Sequence, residues 1–146
     1  KVALRIRKAS HRLWENICNA QKEKVWEYYA DINKWYIWEE DLKDIKLNGE
    51  FKTGSKGIME LENMPPLEYI LTSVKENKEF SDKTDIPLGS IHFGHEIFEE
   101  DSNSVSIKHT VRLESTIISE ENMEFLRGIF SDVPHSMMLL KKSVEE

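Results

Sequence analysis

The spacing of apolar side chains changes period three times along the chain, and each change marks an element. "SHRLWENICN", residues 10 to 19, reads as a short strand. In "AQKEKVWEYYADINKWYIW" the apolar positions Val25, Tyr29 and Ile32 fall four and three apart, so one stripe is apolar while Lys22, Glu23 and Lys24 face water. That spacing predicts a helix with Asn19 as its cap. Asp31 precedes a fresh cluster at Trp35, Tyr36 and Trp38 and can cap a second short helix. After Glu40 the pattern predicts six strands, at 42 to 48, 55 to 62, 67 to 77, 78 to 86, 90 to 99 and 104 to 115. Turn signals separate them: Asn48-Gly49, Lys52 to Ser55, Met64-Pro65-Pro66, Pro87 to Gly89, and Asp101 to Asn103.

The C-terminal stretch returns to helical spacing. Met123, Leu126, Phe130, Val133, Met137, Leu140 and Val144 step by three and four, a stripe long enough to cover a sheet. Ser119 is placed to cap it, and Pro134 predicts a kink or break near Phe130 to Pro134. The order is strand, two short helices, six strands and one long helix, an α+β arrangement. A twisted antiparallel sheet of seven strands curled around the long helix buries these faces economically.

Composition narrows the function. With 146 residues the chain predicts one domain over 10–146, preceded by a basic extension at 1–9. "KVALRIRKASHR" holds Lys1, Arg5, Arg7, Lys8 and Arg12 without an acid, leaving 15 basic against 27 acidic residues, or −12, in the remainder. A body that acidic repels phosphate backbones, so nucleic acid is not an expected partner. The extension reads instead as an edge-strand continuation or a solvated tail. No run of about 18 apolar residues is present to span a bilayer, and the cytoplasm is the expected location. The single Cys18 fits a reducing compartment.

The same element order resembles a known group when taken with "VWEYYADINKWYIWEEDLKDIKLNGEFKTGSKGIMEL", "FSDKTDIP", "IHFGHEI" and "SIKHTVRLE". It resembles the SRPBCC superfamily, which includes START-like lipid-transfer domains, pollen-allergen-like proteins and the polyketide cyclase/dehydrase and lipid-transport family. The resemblance covers about residues 10 to 145 and includes an L-x-G-x-F-x-x-G strand turn at Leu47, Gly49, Phe51 and Gly54. It implies a helix-grip fold with a largely apolar cavity between sheet and C-terminal helix. Members bind lipids, hormones or polyketides, a few catalyse reactions there, and others are protein partners, so fold alone does not assign function.

His92 and His95 lie three apart on one strand, so their side chains diverge and cannot converge on one metal. Nor does any other His, Cys or carboxylate cluster have metal spacing, and no metal or cofactor is expected. Ile91, Phe93, His95 and Ile97 share a face, as do Val105, Ile107, His109, Val111 and Leu113. A three-residue loop at Asp101 to Asn103 would set His95 opposite His109; a two-residue turn would set it opposite Lys108 and break the matching of faces. The apolar pattern favours the His95/His109 pair, with His92 outside. Two histidines on an enclosed face suit three roles: acid and base, anchors for a ligand carbonyl or hydroxyl, or satisfied core groups. Phe80, Asp82, Thr84 and Ile86 share a face of the neighbouring strand, where Asp82 is placed to orient a histidine. Trp35 and Trp38 serve either core packing or stacking on a flat ligand, and the methionines either core or cavity lining. "GEFKTGSK" is turn chemistry, since it joins strand to strand and offers no helix N-terminus to phosphate.

The leading expectation is binding of a small apolar or aromatic molecule, lipid or polyketide-like, in the cavity. The pocket residues expected are Trp35, Trp38, Met59, Phe80, Phe93, His95, His109, Phe130 and Met137. The alternatives are a polyketide cyclase or dehydratase using His95 and His109 as acid and base, and a protein-interaction module.

Overall fold

The computed structural model describes the backbone of residues 10–86, 89–114 and 120–146, and their side chains except at 10, 11, 121–123, 125, 126, 129 and 130. Strand β1 (Ser10–Cys18) leads into helix α1 (Lys22–Ala30), a single 3₁₀ turn (Ile32–Lys34) and the short helix α2 (Trp35–Trp38). Six strands follow: β2 (Leu42–Asn48), β3 (Lys56–Leu61), β4 (Leu67–Lys75), β5 (Glu79–Ile86), β6 (Gly89–Asp101) and β7 (Ser104–Glu114). Helix α3 (Glu120–Glu145) ends the chain. All seven strands form one antiparallel sheet in the order β1-β7-β6-β5-β4-β3-β2, the curved sheet of a helix-grip fold.

Local chemistry accounts for the joints. The Asp31 side chain accepts a hydrogen bond from the Asn33 N–H at 3.0 Å, which ends α1 and opens the 3₁₀ turn, as its position between two apolar clusters predicts. Asn19 does not cap α1: Gln21 stands at the N-cap with no side-chain bond. The Asn19 N–H is taken instead by the Glu145 carboxylate, at 2.8 Å, which ties the residue after β1 to the end of α3. Gly49 and Gly54 in the β2–β3 connection have φ of 100° and 95°, left-handed values that favour glycine. The cap expected at Ser119 lies outside the described residues.

No break divides α3 at Pro134. Proline's own φ is helical, so it costs the helix a hydrogen bond without ending it. The stripe read from the sequence holds in the second half, where Met137, Leu140 and Val144 are buried. They meet a core of Val25, Trp26, Tyr29, Trp35, Trp38, Leu71 and Phe80 beneath α1 and α2. A second, smaller cluster of Ile91, Val111 and Leu113 lies farther along the sheet, with Phe93 and Val133 packed on it.

Candidate functional site

Strands β6 and β7 pair with His95 directly opposite His109. The turn between them departs from the one expected: Asp101 pairs with Ser104 across a two-residue turn, and the register shifts between Glu99 and Asp101. One extra residue on β6 therefore makes up the count that the shorter turn removes. Both histidines keep to the apolar face, His95 at 6% and His109 at 3% exposure. His92 faces the other way, 3.6 Å from the Glu114 carboxylate.

Each ring is held from a different side. The His95 imidazole stacks on Phe80 at 3.9 Å between centroids and 7° between planes, and its Nδ1 lies 3.2 Å from the Phe80 carbonyl oxygen. A carbonyl only accepts, so Nδ1 carries the proton and Nε2 of the neutral ring is an acceptor. Among the described residues no hydrogen bond reaches that Nε2. His109 Nε2 lies 2.7 Å from the Tyr29 hydroxyl, and the two histidine rings meet edge to face at 4.7 Å. Burial lowers the proton affinity of both: His95 is pushed down to about 3, and His109, which also has His95 beside it, falls well below the usual value. Both rings are neutral at pH 7.

Next to this pair is a cavity of about 140 Å³ between the sheet and α3. Its walls, among the described residues, are Phe93 and Val111 from the sheet, Leu61 from β3, and Val133 and Ser136 from α3, with His95 and His109 also on its lining. Glu39, Glu40 and Asp41, in the link between α2 and β2, meet Asp132 and His135 of α3 along the rest of it. His135 Nε2 is 2.7 Å from the Glu40 carboxylate. Burial, and after it the Asp41 carboxyl beside it, raise Asp132 above the usual carboxylate range. Glu39, half-buried, is pushed up to about 8 by burial and by Asp82, Asp41 and Asp132. Asp82, 5% exposed, is pushed up to about 7 by burial and makes no hydrogen bond among the described residues.

Of the residues expected in the pocket, Phe93, His95 and His109 line this cavity. Trp35, Trp38, Phe80 and Met137 lie in the packed core. The Trp35 and Trp38 ring N–H groups donate to the carbonyls of Tyr29 and Tyr28, at 2.9 and 3.1 Å. Met59 is partly buried against that core, and the Phe130 side chain lies outside the described residues. Asp82 faces inward with Phe80 and Thr84, but stands opposite Phe93; the partners of the two histidines are Phe80 and Tyr29. The sequence reading did not assign the acidic edge to the pocket. Its one signal is the run Glu39-Glu40-Asp41 between two elements that both carry buried apolar residues.

Groups of three or more His, Cys, Asp or Glu able to hold a metal are absent among the described residues. Nor is any described helix long and apolar enough to cross a membrane. No protein-family model matches the chain, and no curated protein is significantly similar to it in sequence. Solved structures do match. Ara h 8.0201 superposes with a TM-score of 0.73 at 11% identity, covering 93% of this chain and 97% of its own. Norcoclaurine synthase from Thalictrum flavum, in complex with dopamine and hydroxybenzaldehyde, gives 0.70 at 10% identity, covering 93% of this chain and 86% of its own. An uncharacterized protein from Bacillus thuringiensis gives 0.70 at 14%, covering 94% of this chain and 100% of its own. At 14% identity or less these likenesses show the fold alone: a curved antiparallel sheet gripping a long C-terminal helix.

Proposed function

We propose that this protein binds a small apolar or aromatic molecule in the cavity between the sheet and α3. The observation that carries this reading is the cavity itself: apolar walls at Phe93, Val111 and Val133, with the lone pair of His95 Nε2 on the same lining and without a partner among the described residues. A hydrogen bond donated to that nitrogen by a ligand O–H or N–H would contribute about 0.5–1.5 kcal/mol. At about 140 Å³ the space matches a single ring, since a cavity of about 150 Å³ holds benzene. An acyl chain or a polycyclic polyketide would need α3 to stand farther from the sheet. The fold is shared with a synthase that holds two single-ring compounds, which supports the same size class.

Native mass spectrometry of the purified protein, followed by solvent extraction, tests whether a small molecule accompanies it. Titration with single-ring compounds, read by the imidazole carbon-bound proton signals of His95 and His109, tests the site directly. Movement of both histidines at saturable concentrations is expected; fixed signals up to millimolar ligand would refute the reading.

Catalysis is a second reading, favoured by one observation: Glu39 holds its proton at neutral pH on the same lining as two neutral imidazoles. His95, at about 3, binds a proton too weakly to serve as a general base near pH 7, so Glu39 is the better proton donor in any cyclisation or dehydration. His95→Ala and Glu39→Gln separate the roles. In an enzyme, Glu39→Gln lowers turnover about a hundredfold while ligand affinity changes far less.

A further inference from the structure

The polar groups on the cavity lining share one property. Glu39, Glu40, Asp41 and Asp132 bring carboxyl groups, His95 brings an acceptor nitrogen, and among the described residues no Lys or Arg faces them. Among the described residues the basic side chain that meets these acids on the lining is His135, whose Nε2 is already engaged by Glu40 at 2.7 Å. Asp41 and Asp132 come from separate elements and meet on this lining, where burial and the Asp41 carboxyl beside it hold Asp132 above the usual carboxylate range, a crowding that a cation relieves. Independently of this edge, one buried side chain on the lining has a ring nitrogen without a partner. The 94%-buried His95 ring lines the cavity, and among the described residues no hydrogen bond reaches its Nε2. The lining therefore asks for positive charge and donor hydrogens at one end and an apolar body at the other.

We propose that the ligand is an aromatic amine, with its ring between Phe93, Val111 and Val133 and its ammonium group among Glu39, Asp41 and Asp132. This deepens the binding reading above and rests on it. A neutral ring would satisfy the walls and leave the acids crowded. An ammonium group supplies three N–H donors and the positive charge that the crowded acids lack.

Three probes of one shape decide the matter on the full chain: benzylamine, protonated at pH 7, benzyl alcohol, and benzoate. Calorimetric titration in low salt is expected to give benzylamine an affinity at least about tenfold above benzyl alcohol, with no binding of benzoate. Asp132→Asn, at an exposed position, and Glu39→Gln are each expected to cut the amine-to-alcohol affinity ratio about threefold or more, and the former stands alone if the latter does not fold. Equal affinities for amine and alcohol, with both moving the His95 signal, would overturn the amine assignment and leave the cavity reading standing. Benzylamine that binds without moving His95 or His109 also overturns it, because the amine would then sit on the surface acids alone. Failure of all three probes to bind overturns both.

Discussion

Beneath α1 and α2 the inner face of the sheet, with Phe80, meets Trp26, Tyr29, Trp35 and Trp38, and these rings pack edge to face or tilted at centroid distances of 5.1–6.4 Å. Beneath the middle of α3 the same face, built from the same strands, meets Val133 and Ser136 and leaves a cavity. The strands do not differ in kind; the material laid on them does. Two short helices deliver large rings to one end, while a single helix delivers small side chains to the other. His95 and His109 stand on the boundary, in ring contact with Tyr29 and Trp38 on one side and lining open space on the other. A cavity in this fold is thus the part of the sheet that the aromatic helices do not reach.

The sharpest test removes one ring from each side. Phe80→Ala, in the filled half, is expected to cost about 3–5 kcal/mol by urea unfolding. Phe93→Ala, on the cavity wall and half-buried, should cost about 1–2 kcal/mol, because part of its surface already lacks neighbours. Equal costs would erase the distinction between the two interiors.

Next in size is a pH effect from the boundary. The folded protein holds the proton of Asp82 up to about pH 7, against 3.8 for a free carboxyl, so the folded state binds more protons across that window. Stability falls as pH rises through it. His95 and His109 act in the opposite sense: their lowered affinity contributes stability that is complete above about pH 6.5 and is lost as pH falls toward 3. Asp82→Asn isolates the acid. Its stability relative to wild type should rise by on the order of 2–4 kcal/mol between pH 4 and pH 8, and a flat difference would show that Asp82 ionises freely.

Two smaller changes probe how the histidines are held. Tyr29→Phe removes the hydroxyl at His109 and should cost about 1–2 kcal/mol, with the His109 proton signals shifted and those of His95 nearly fixed. Deleting Glu100 should cost less than about 1 kcal/mol and preserve the nuclear Overhauser contact between the two rings, since it removes the extra residue of β6 and leaves a regular two-residue hairpin. Loss of that contact would mean that the bulge itself sets the register.

Much of this was legible in the residues. Alternation of period two bounds all seven strands to within about two residues and assigns each residue a face, which a register slip of one would reverse. The same logic pairs His95 with His109 even though the expected loop was one residue too long; matching of faces is a stronger constraint than loop length. What escaped was whatever depends on the docking of non-periodic segments. Glu39 to Asp41 lie in a link with no repeat to orient them, and they join the cavity only because α3 brings Asp132 and His135 to meet them. Likewise Trp35 and Phe93 are both aromatic residues on inward faces, and only the third dimension puts one in packed core and the other beside empty space.

One consequence follows from how α3 is fastened. Its last turns are clamped: Lys141 donates to the Ile17 carbonyl at 2.6 Å, Glu145 receives the Asn19 N–H, and Met137, Leu140 and Val144 are buried. At Pro134 the helix has no N–H to give to the carbonyl of Phe130. Flexing there breaks no hydrogen bond at that position, whereas lifting the far end breaks the clamp and uncovers the core. Mechanically α3 is clamped at its last turns and lacks one backbone hydrogen bond at Pro134, so that proline is where bending costs the helix least.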